Sequence, residues 1–385
     1  MKTNGILTFH YSYNEGAIWQ AYCLFKVLSK FSESEIIDHQ YPTKVNYYGN
    51  PNKREKALED FVKNNLIKSP LFFKDQHKET FQYINKNYNN LIIGSDQVWK
   101  LKYKKNNRFL ALFNIQNHPM HPSFPNVYWP NEMVLSNKIL YAGSIGPLNK
   151  NSIFYPHRIM MKRILSNFKL IGYRDTATKE FINWLDPNLN KISKWVPDPT
   201  FSFSVIDKKI KENLKNRLIN YEQSVKNKKI IGIISNENKS LTDFLKKINR
   251  KKYILIGLSI KNKNVDIDFS NEPLSPIEWV NFFSFFDYCL TEKMHGAIAC
   301  ILNNKPFLGL GYYENNIDGN STLLDLMIRM QLETFYLSKN IISEKKLNDK
   351  FDHMIKNWPY ENVENNTLNF KKKSNEFINE ICTIK

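Results

Sequence analysis

Short apolar segments of β type alternate with amphipathic helical patterns along most of the chain, and this alternation is the strongest constraint on its fold. Segment 6–9 is a predicted buried strand, and a helix from about Gly16 follows, with Ala17, Ala21 and Leu24 at helical spacing. Strands that alternate with helices form a parallel sheet covered on both faces, so the sequence predicts an α/β protein. Further predicted strands are 91–94, 139–143, 170–173, 195–196, 230–234, 253–257, 288–291 and 306–310, and further predicted helices are 53–66, 156–167, 176–185, 241–248 and 367–381.

The pattern restarts after a lysine-rich polar stretch at 207–228, which divides the chain into two α/β units. At about 100–200 residues per domain, a length of 385 residues favours two domains over one. We therefore predict an N-terminal domain over 1–206, a basic linker over 207–228 and a C-terminal domain over 229–340, with a cleft between the domains. Residues 341–385 are predicted to form C-terminal helices that pack back on the N-terminal domain.

Composition excludes several classes of protein. A hydrophobic fraction of 42% supports a packed core and excludes intrinsic disorder. Cys23, Cys289, Cys300 and Cys382 are scattered without a CxxC pair, which indicates a reducing compartment rather than a disulfide framework or a zinc site. The N-terminal apolar run breaks at His10, and no run approaches the ~18 residues of a membrane span. These features predict a cytoplasmic protein, and we expect no bound metal.

The net charge is strongly positive and has several possible explanations. Lys and Arg number 55 against 37 Asp and Glu, which gives a formal net charge of +18. This excess suits nucleic acid or an anionic membrane, but an AT-rich genome would also add surface lysines without selecting for a ligand. The basic stretches carry no RNA-recognition, helix-turn-helix or zinc-finger pattern. A solvated basic surface and a weak membrane-facing patch stay equal alternatives, and nucleic acid ranks third.

Polar, titratable and glycine residues collect just after the predicted strands. They lie at 10–16, 95–97, 144, 174–175, 198 and 291–296. In open α/β sheets, ligands bind at the carboxyl ends of the strands, where loops lead into helix N-termini. A purely structural protein has less reason to place Asp, Arg, Lys and His repeatedly on one rim, so these segments are the candidate ligand-binding loops.

The sharpest candidate is His295, which follows the strand ending at Thr291 and opens an apolar helix. The free N–H groups and partial positive charge of a helix N-terminus suit phosphate or carboxylate. Lys293 adds a full positive charge, and Gly296 allows a ligand close to the backbone. Histidine is the side chain that ordinarily exchanges a proton near neutral pH, so a histidine at 295 suits acid–base chemistry. A simple helix cap and a functional group explain this position equally well.

Arg174 and Asp175 stand between a predicted strand and the next helix. Asp175 is most simply a helix N-cap. The guanidinium of Arg174 can clamp phosphate or carboxylate, although a structural ion pair with an aspartate explains it equally well. Asp96 and Gln97 place a carboxylate and an amide at another strand end, where a cap and a binding role are again equal alternatives.

Loop 10–16 is rich in aromatic and hydrogen-bonding side chains, as a carbohydrate site would be. It lacks the GxGxxG spacing of a dinucleotide fingerprint, and no Walker loop occurs in the chain. We therefore expect no nucleotide cofactor held by either motif.

The same residues carry a resemblance to the polysaccharide pyruvyl transferase family. Gly5-Ile-Leu-Thr-Phe-His10 and Asn14-Glu-Gly-Ala17 resemble the family's first strand, loop and helix, and Ile93-Gly-Ser-Asp-Gln-Val-Trp99 resembles its second block. Each block alone is weak, but their joint occurrence in family order, from about residue 5 to 330, is specific. The other blocks are Gln20-Ala-Tyr22, Tyr141-Ala-Gly-Ser144, Tyr173-Arg-Asp175, Pro197-Asp-Pro-Thr200, Ser275-Pro276, 291–296 and Asn304-Lys-Pro-Phe307.

The resemblance implies two Rossmann-like domains with parallel sheets facing a cleft, as in GT-B glycosyltransferases. It also implies transfer of a pyruvyl group from phosphoenolpyruvate to two hydroxyls of a sugar, which forms a pyruvate ketal and releases phosphate. Phosphoenolpyruvate is then the donor substrate, no cofactor is required, and the acceptor is a surface-glycan precursor, lipid-linked precursors included. Such an enzyme works in the cytoplasm, at the inner face of the cell membrane where its acceptor is lipid-linked.

The resemblance also assigns donor-side roles. His295 matches the family histidine proposed as acid, base or phosphate contact, and Arg174 matches a family arginine that grips the donor. Lys293, Met294 and Gly296 are expected at the donor in the C-terminal domain. Lys293 stands where one family branch has arginine, so it keeps the charge and loses the planar fork.

Acceptor contacts are expected in the N-terminal domain from Asn14, Glu15, Asp96 and Gln97. Glu15 stands where the family more often has an aromatic residue, which leaves acceptor specificity open.

Two other functions stay open as well. A nucleotide-sugar glycosyltransferase shares the GT-B architecture, because fold does not fix function. A non-enzymatic basic protein that binds glycan or nucleic acid would lose affinity steeply with salt.

Overall fold

Two six-stranded sheets, each with all strands parallel, organise the part of the chain that the structure describes. The computed structural model describes residues 2–40, 51–74, 77–101, 124–146, 148, 150–311, 321–338 and 342–384. The central strands are apolar on both faces, as in 91–93, 139–141 and 230–234, and their side chains are buried. Such strands need helices on both sides of the sheet, which is the arrangement observed.

The first sheet has the spatial order β2-β1-β5-β6-β7-β8, so the chain changes direction across the sheet between β1 and β5. Its strands are β1 (Lys2–Leu7), β2 (Ser34–Ile36), β5 (Tyr88–Asp96), β6 (Asn137–Gly143), β7 (Phe168–Tyr173) and β8 (Ser193–Trp195), while β3 (His39–Gln40) and β4 (Phe73–Lys74) form a separate pair. Its helices are α1 (Glu15–Leu28), α2 (Lys53–Asn65), α3 (His77–Asn87), α4 (Tyr155–Leu165) and α5 (Thr176–Leu185).

The second sheet has the order β11-β10-β9-β12-β13-β14, which is the Rossmann order with its reversal between β9 and β12. Its strands are β9 (Lys229–Ile234), β10 (Tyr253–Leu258), β11 (Ile267–Phe269), β12 (Tyr288–Thr291), β13 (Phe307–Gly311) and β14 (Tyr336–Ser338). The helices before, between and beside them are α6 (Lys208–Leu218), α7 (Glu222–Val225), α8 (Lys239–Lys247), α9 (Pro276–Phe282), α10 (Met294–Leu302) and α11 (Thr322–Arg329). The prediction of an α/β fold with two parallel sheets is confirmed.

Segment 207–228, predicted as a basic linker, is helical. Asp207 caps α6 by accepting a hydrogen bond from the backbone N–H of Ile210, and α6 packs against α9. Leu214 and Leu218 are buried at the i, i+4 spacing of one helix face. Because most residues around these two leucines are lysines and other polar residues, the average composition of the segment is that of a linker although the helix is packed.

The last two helices, α12 (Glu344–Asn357) and α13 (Tyr360–Thr383), belong to different sides of the molecule. Phe351 of α12 packs on Phe244 and Tyr253 in the second unit. The ring of Phe377 in α13 instead lies edge-on to Tyr141 of β6, with 5.5 Å between ring centroids. Helix α13 therefore covers one face of the first sheet. In the described ranges, no helix combines the length and the apolar content that crossing a membrane requires.

Replacement of Phe377 tests whether α13 is part of the core of the first unit. Phe377 is 1% exposed, and Phe377→Ala should lower the free energy of unfolding of that unit by about 3–5 kcal/mol. Lys194→Ala is the control, because the ion pair of Lys194 with Glu380 of α13 lies in solvent and is worth at most about 1 kcal/mol. Chemical denaturation followed by tryptophan fluorescence measures both changes, and equal losses would contradict the assignment.

Candidate active site

The candidate site lies where both sheets reverse their strand order. Open α/β sheets bind ligands at such switch points, outside the carboxyl ends of the strands. In the first sheet the switch point lies between β1 and β5. Strand β1 leads into helix α1, and β5 ends at Asp96. In the second sheet it lies between β9 and β12, and β12 leads into α10. Two helix N-termini therefore face the same region from opposite sides.

Helix α1 begins with an ordered N-terminal turn. Asn14 is the N-cap, and its Oδ1 accepts a hydrogen bond from the backbone N–H of Ala17 at 3.2 Å. Glu15 is buried, and Arg54 of α2 donates to both of its carboxylate oxygens, at 2.6 and 2.8 Å. The carboxylate that was expected at the acceptor is thus engaged in fixing α2 against this turn.

Helix α10 begins at Met294 with Lys293 as its N-cap, which makes no side-chain capping hydrogen bond. Thr291 Oγ1 accepts from the backbone N–H of Lys293 at 3.1 Å, and a Cβ at position 296 would stand 2.5 Å from this oxygen. This close approach explains the glycine at 296. The ammonium of Lys293 is half exposed and lies 3.6 Å from Glu292. Met294 lines a small cavity with Arg174.

His295 lies at the contact between the two units. The edge of its ring faces Trp19 of α1, with 6.2 Å between centroids. A Cβ at position 16 would stand 2.6 Å from Cβ, Cγ and Nδ1 of His295, so only glycine lets α1 approach this side chain. The side chain is 14% exposed, while Nε2 is buried without a hydrogen-bond partner among the described residues. Nε2 lies 3.5 Å from Oδ2 of Asp198.

Asp198 is the buried centre of the site, and its side chain is 3% exposed. Oδ2 accepts a hydrogen bond from Nη1 of Arg174 at 2.9 Å, and Oδ1 accepts from the hydroxyl of Thr200 at 2.8 Å. Burial by itself raises the pKa of Asp198, but His295 and Arg174 outweigh burial and hold the pKa well below its usual range. The carboxylate is therefore ionised at neutral pH.

Arg174 connects this carboxylate to the first switch point. Its guanidinium lies between Asp198 and Asp96, with Nη2 at 3.7 Å from Oδ1 of Asp96, and its side chain is 7% exposed. Burial lowers its pKa, but the adjacent Asp198, Asp96 and Asp175 have the larger effect and raise it. Asp175 caps α5 by accepting from the N–H of Thr178 at 2.9 Å.

Asp96 and Gln97 lie together at the end of β5. Oδ1 of Asp96 accepts from the backbone N–H of Gln97 at 2.7 Å, and both side chains are half-buried. The structure thus brings Asp96, Arg174 and His295 into one chain of ionisable groups through Asp198. The sequence placed Asp198 among the residues that follow predicted strands but gave it no role of its own, and its position in the block Pro197-Asp-Pro-Thr200 was the available signal. The roles of the predicted site residues stay predictions.

Several solved structures share the fold of this chain at low sequence identity. UDP-GlcNAc 2-epimerase from Neisseria meningitidis bound to UDP-GlcNAc has a TM-score of 0.58 and 10% identity, covering 100% of both chains. S. aureus MnaA with UDP has a TM-score of 0.56 and 12% identity, covering 99% of this chain and 96% of that one. Anabaena Alr3699/HepE in complex with UDP and glucose has a TM-score of 0.50 and 8% identity, covering 99% and 97%. At these identities the likeness defines the fold alone, and that fold is of the GT-B type.

The sequence itself identifies the family. The profile of the polysaccharide pyruvyl transferases matches residues 14–315, so this chain belongs to that family and the resemblance carried by its motifs is confirmed. The matched range includes Asn14 at the start of α1 and the whole rim from Asp96 to Gly296. No single curated protein matches the chain closely enough to count as a relative. Membership supports a transferase of polysaccharide metabolism.

The contact between Gly16 and His295 can be tested by a double-mutant cycle. Gly16→Ala should destabilise the wild type by about 1–3 kcal/mol, because the new methyl overlaps the imidazole at its fixed end. In a His295→Gly background, which also removes the Cβ that would lie 2.6 Å from the new methyl, the same change should stabilise by up to about 1 kcal/mol, since alanine favours a helix over glycine. Denaturation curves of the four proteins give the coupling energy, and additive effects would show that the two residues do not touch.

Proposed function

We propose that this protein transfers a pyruvyl group from phosphoenolpyruvate to two hydroxyls of a sugar in a surface-glycan precursor, forming a pyruvate ketal and releasing phosphate. Family membership supports the transferase class. The observation that carries the finer proposal is the meeting of two helix N-termini at His295, beside the half-exposed cation of Lys293.

The donor is a small dianionic or trianionic molecule, and the rim suits it. Helix N-termini bind phosphate and carboxylate through free N–H groups and the helix dipole. The first turn of α10 has no side-chain cap, so its backbone N–H groups can bind a ligand, and Lys293 adds a full charge. The backbone N–H of Gly296, in that first turn, is proposed as one of these donors. In this proposal the phosphate or carboxylate of the donor lies at the α10 N-terminus.

The reaction needs a proton at one carbon and a loss of protons from two oxygens. Protonation of the methylene carbon creates an oxocarbenium-like centre at the carbon that carries the phosphate. One sugar hydroxyl bonds to that carbon, the bond to the phosphate oxygen breaks, and the second hydroxyl closes the ketal. One hydroxyl proton balances the proton added to the methylene carbon, and the other leaves with phosphate. His295 is the proposed acid for the carbon and base for a hydroxyl.

The acceptor has a candidate pocket on the first unit. A cavity of about 240 Å³ opens between loop 10–13 and α2, lined by Tyr11, Tyr13, Gln40 and Lys68. Aromatic faces with a few polar groups are typical of a pocket for a sugar ring. His10 forms part of its wall, with its ring nitrogens at 3.1 Å from the Thr8 carbonyl oxygen and 3.0 Å from Asp38.

The rim residues Asn14, Asp96 and Gln97 complete the proposed acceptor side. Glu15 is held by Arg54, so its proposed part is to fix the loop rather than to contact sugar.

We also propose that the acceptor is lipid-linked and is bound at the inner face of the membrane, since a net charge of +18 suits an anionic surface.

A nucleotide-sugar glycosyltransferase is the second candidate. The observation in its favour is the shared fold with proteins solved with UDP or UDP-GlcNAc. Because a fold alone does not determine chemistry, this observation leaves the donor to experiment.

Donor identity can be tested by thermal shift. At 100 times its Kd a ligand stabilises the folded state by about 2.7 kcal/mol, which corresponds to a rise in Tm of several degrees. We expect this rise with phosphoenolpyruvate and a smaller one with phosphate, and none with UDP- or GDP-sugars. Stabilisation by a nucleotide sugar alone would favour the glycosyltransferase. Binding of glycan or nucleic acid that ignores phosphoenolpyruvate and falls steeply with salt would favour the non-enzymatic alternative.

Replacement of His295 tests its proton-transfer role. His295→Ala should lower turnover by at least about 10²-fold, the lower end for general acid–base catalysis. His353→Ala is the matched control, because His353 stacks on Phe335 at the surface of the second unit. Phosphate release from phosphoenolpyruvate with lipid-linked and nucleotide-linked sugars measures both variants. Near-normal turnover of the His295 variant would remove it from the mechanism.

A further inference from the structure

One ring nitrogen of His295, Nε2, is directed into the protein. Nε2 of His295 is buried and lies 3.5 Å from Oδ2 of Asp198, an ion-pair distance that is longer than a normal hydrogen bond. Catalytic hydrogen bonds are often long before substrate binds and shorten in the complex. Since Nε2 is buried while the side chain keeps 14% exposure, Nδ1 is the nitrogen that can reach a ligand.

We propose that Asp198 is the positioning residue for His295: it holds a proton on Nε2, so that Nδ1 exchanges protons with donor and acceptor. In the same proposal, Arg174 weakens the attraction between Asp198 and His295 and does not bind the donor. The inference rests on the proposed function for its catalytic meaning. The carboxylate favours the protonated ring, as an opposite charge within about 4–6 Å generally does. Nδ1–H then supplies the proton to the methylene carbon, and Nδ1 takes one back from a sugar hydroxyl.

Arg174 is placed to weaken the attraction between Asp198 and His295. It donates to Oδ2 of Asp198, the same oxygen that faces Nε2, and its other edge faces Asp96. A guanidinium on a shared oxygen competes with the imidazolium for that charge. With 7% of its side chain exposed and two carboxylates on its terminal nitrogens, Arg174 offers little surface to a donor.

Few other charges face His295. On its own helix the nearest is Lys293, which lies beside Glu292. From α1 the ring meets Gly16 and Trp19, while the neighbouring Glu15 is neutralised by Arg54. Among the described residues, Asp198 is the acidic group that forms an ion pair with His295.

The first test uses the unmodified protein and needs no donor or acceptor. In ¹⁵N-histidine NMR the neutral form of His295, assigned with His295→Gln, should carry its proton on Nε2. Because this tautomer can be read without turnover, it remains informative even where the proposed reaction is wrong. A neutral ring protonated on Nδ1 would overturn the proposal.

The second test uses variants with opposite expected signs. Asp198→Asn should move the midpoint of the His295 titration to lower pH by about 1 unit or more, because the ring loses its counter-ion. Arg174→Gln should move it to higher pH, because the competing cation is gone, and Arg174→Lys keeps the charge should the glutamine variant fail to fold. Asp325→Asn is the control, since Asp325 accepts from Thr176 rather than facing His295.

The kinetic readout separates a positioning role from donor binding. In Asp198→Asn, turnover should fall at least 10-fold with KM for phosphoenolpyruvate little changed, and the pH profile should follow the NMR midpoint. Arg174→Lys should shift that profile as well. If Arg174→Lys raises KM for phosphoenolpyruvate tenfold and leaves the profile unchanged, Arg174 is a donor ligand and the proposal fails. Shifts of the same sign in the Asp198 and Arg174 variants would also overturn it.

Discussion

The carboxylate of Asp198 links the two halves of the molecule at the point where its chemistry is proposed to occur. A buried, ionised carboxylate is costly unless its neighbours compensate its charge. One compensating group, Arg174, comes from the end of β7, and the other, His295, comes from the start of α10. Through this carboxylate an arginine of the first unit and a histidine of the second lie against one group. The site is therefore a product of domain packing as much as of local motifs.

Much of the fold could be predicted because the central strands are short runs of consecutive apolar residues. Five or so consecutive apolar residues, as in β9, are buried on both faces and stand out from their surroundings. The edge strands β2, β11 and β14 have three residues each, too few for periodicity to separate them from loops. Helix α13 begins well before the predicted residue 367, because its first turns are polar and carry little apolar signal.

Only part of the candidate site could be predicted from the sequence. His295 and Arg174 stand out because strand ends and helix starts concentrate functional groups, and this depends on local pattern alone. Gly16 contacts His295, and Arg54 forms an ion pair with Glu15. Both contacts join residues that are distant in the chain, so no local sequence pattern predicts them. Asp198 resembles an ordinary turn residue between two prolines until the fold brings a guanidinium and an imidazole against it.

The route of helix α13 has a consequence for how the protein is made. Domains generally fold during synthesis from the N-terminus onwards. Here the face of the first sheet around Tyr141 and Gly172 is covered by Phe377, which the ribosome adds more than 200 residues after Tyr141. The first unit must therefore wait, with an apolar face open, until the second has been synthesised. Until α13 docks, this face is exposed apolar surface, which favours aggregation of the incomplete chain.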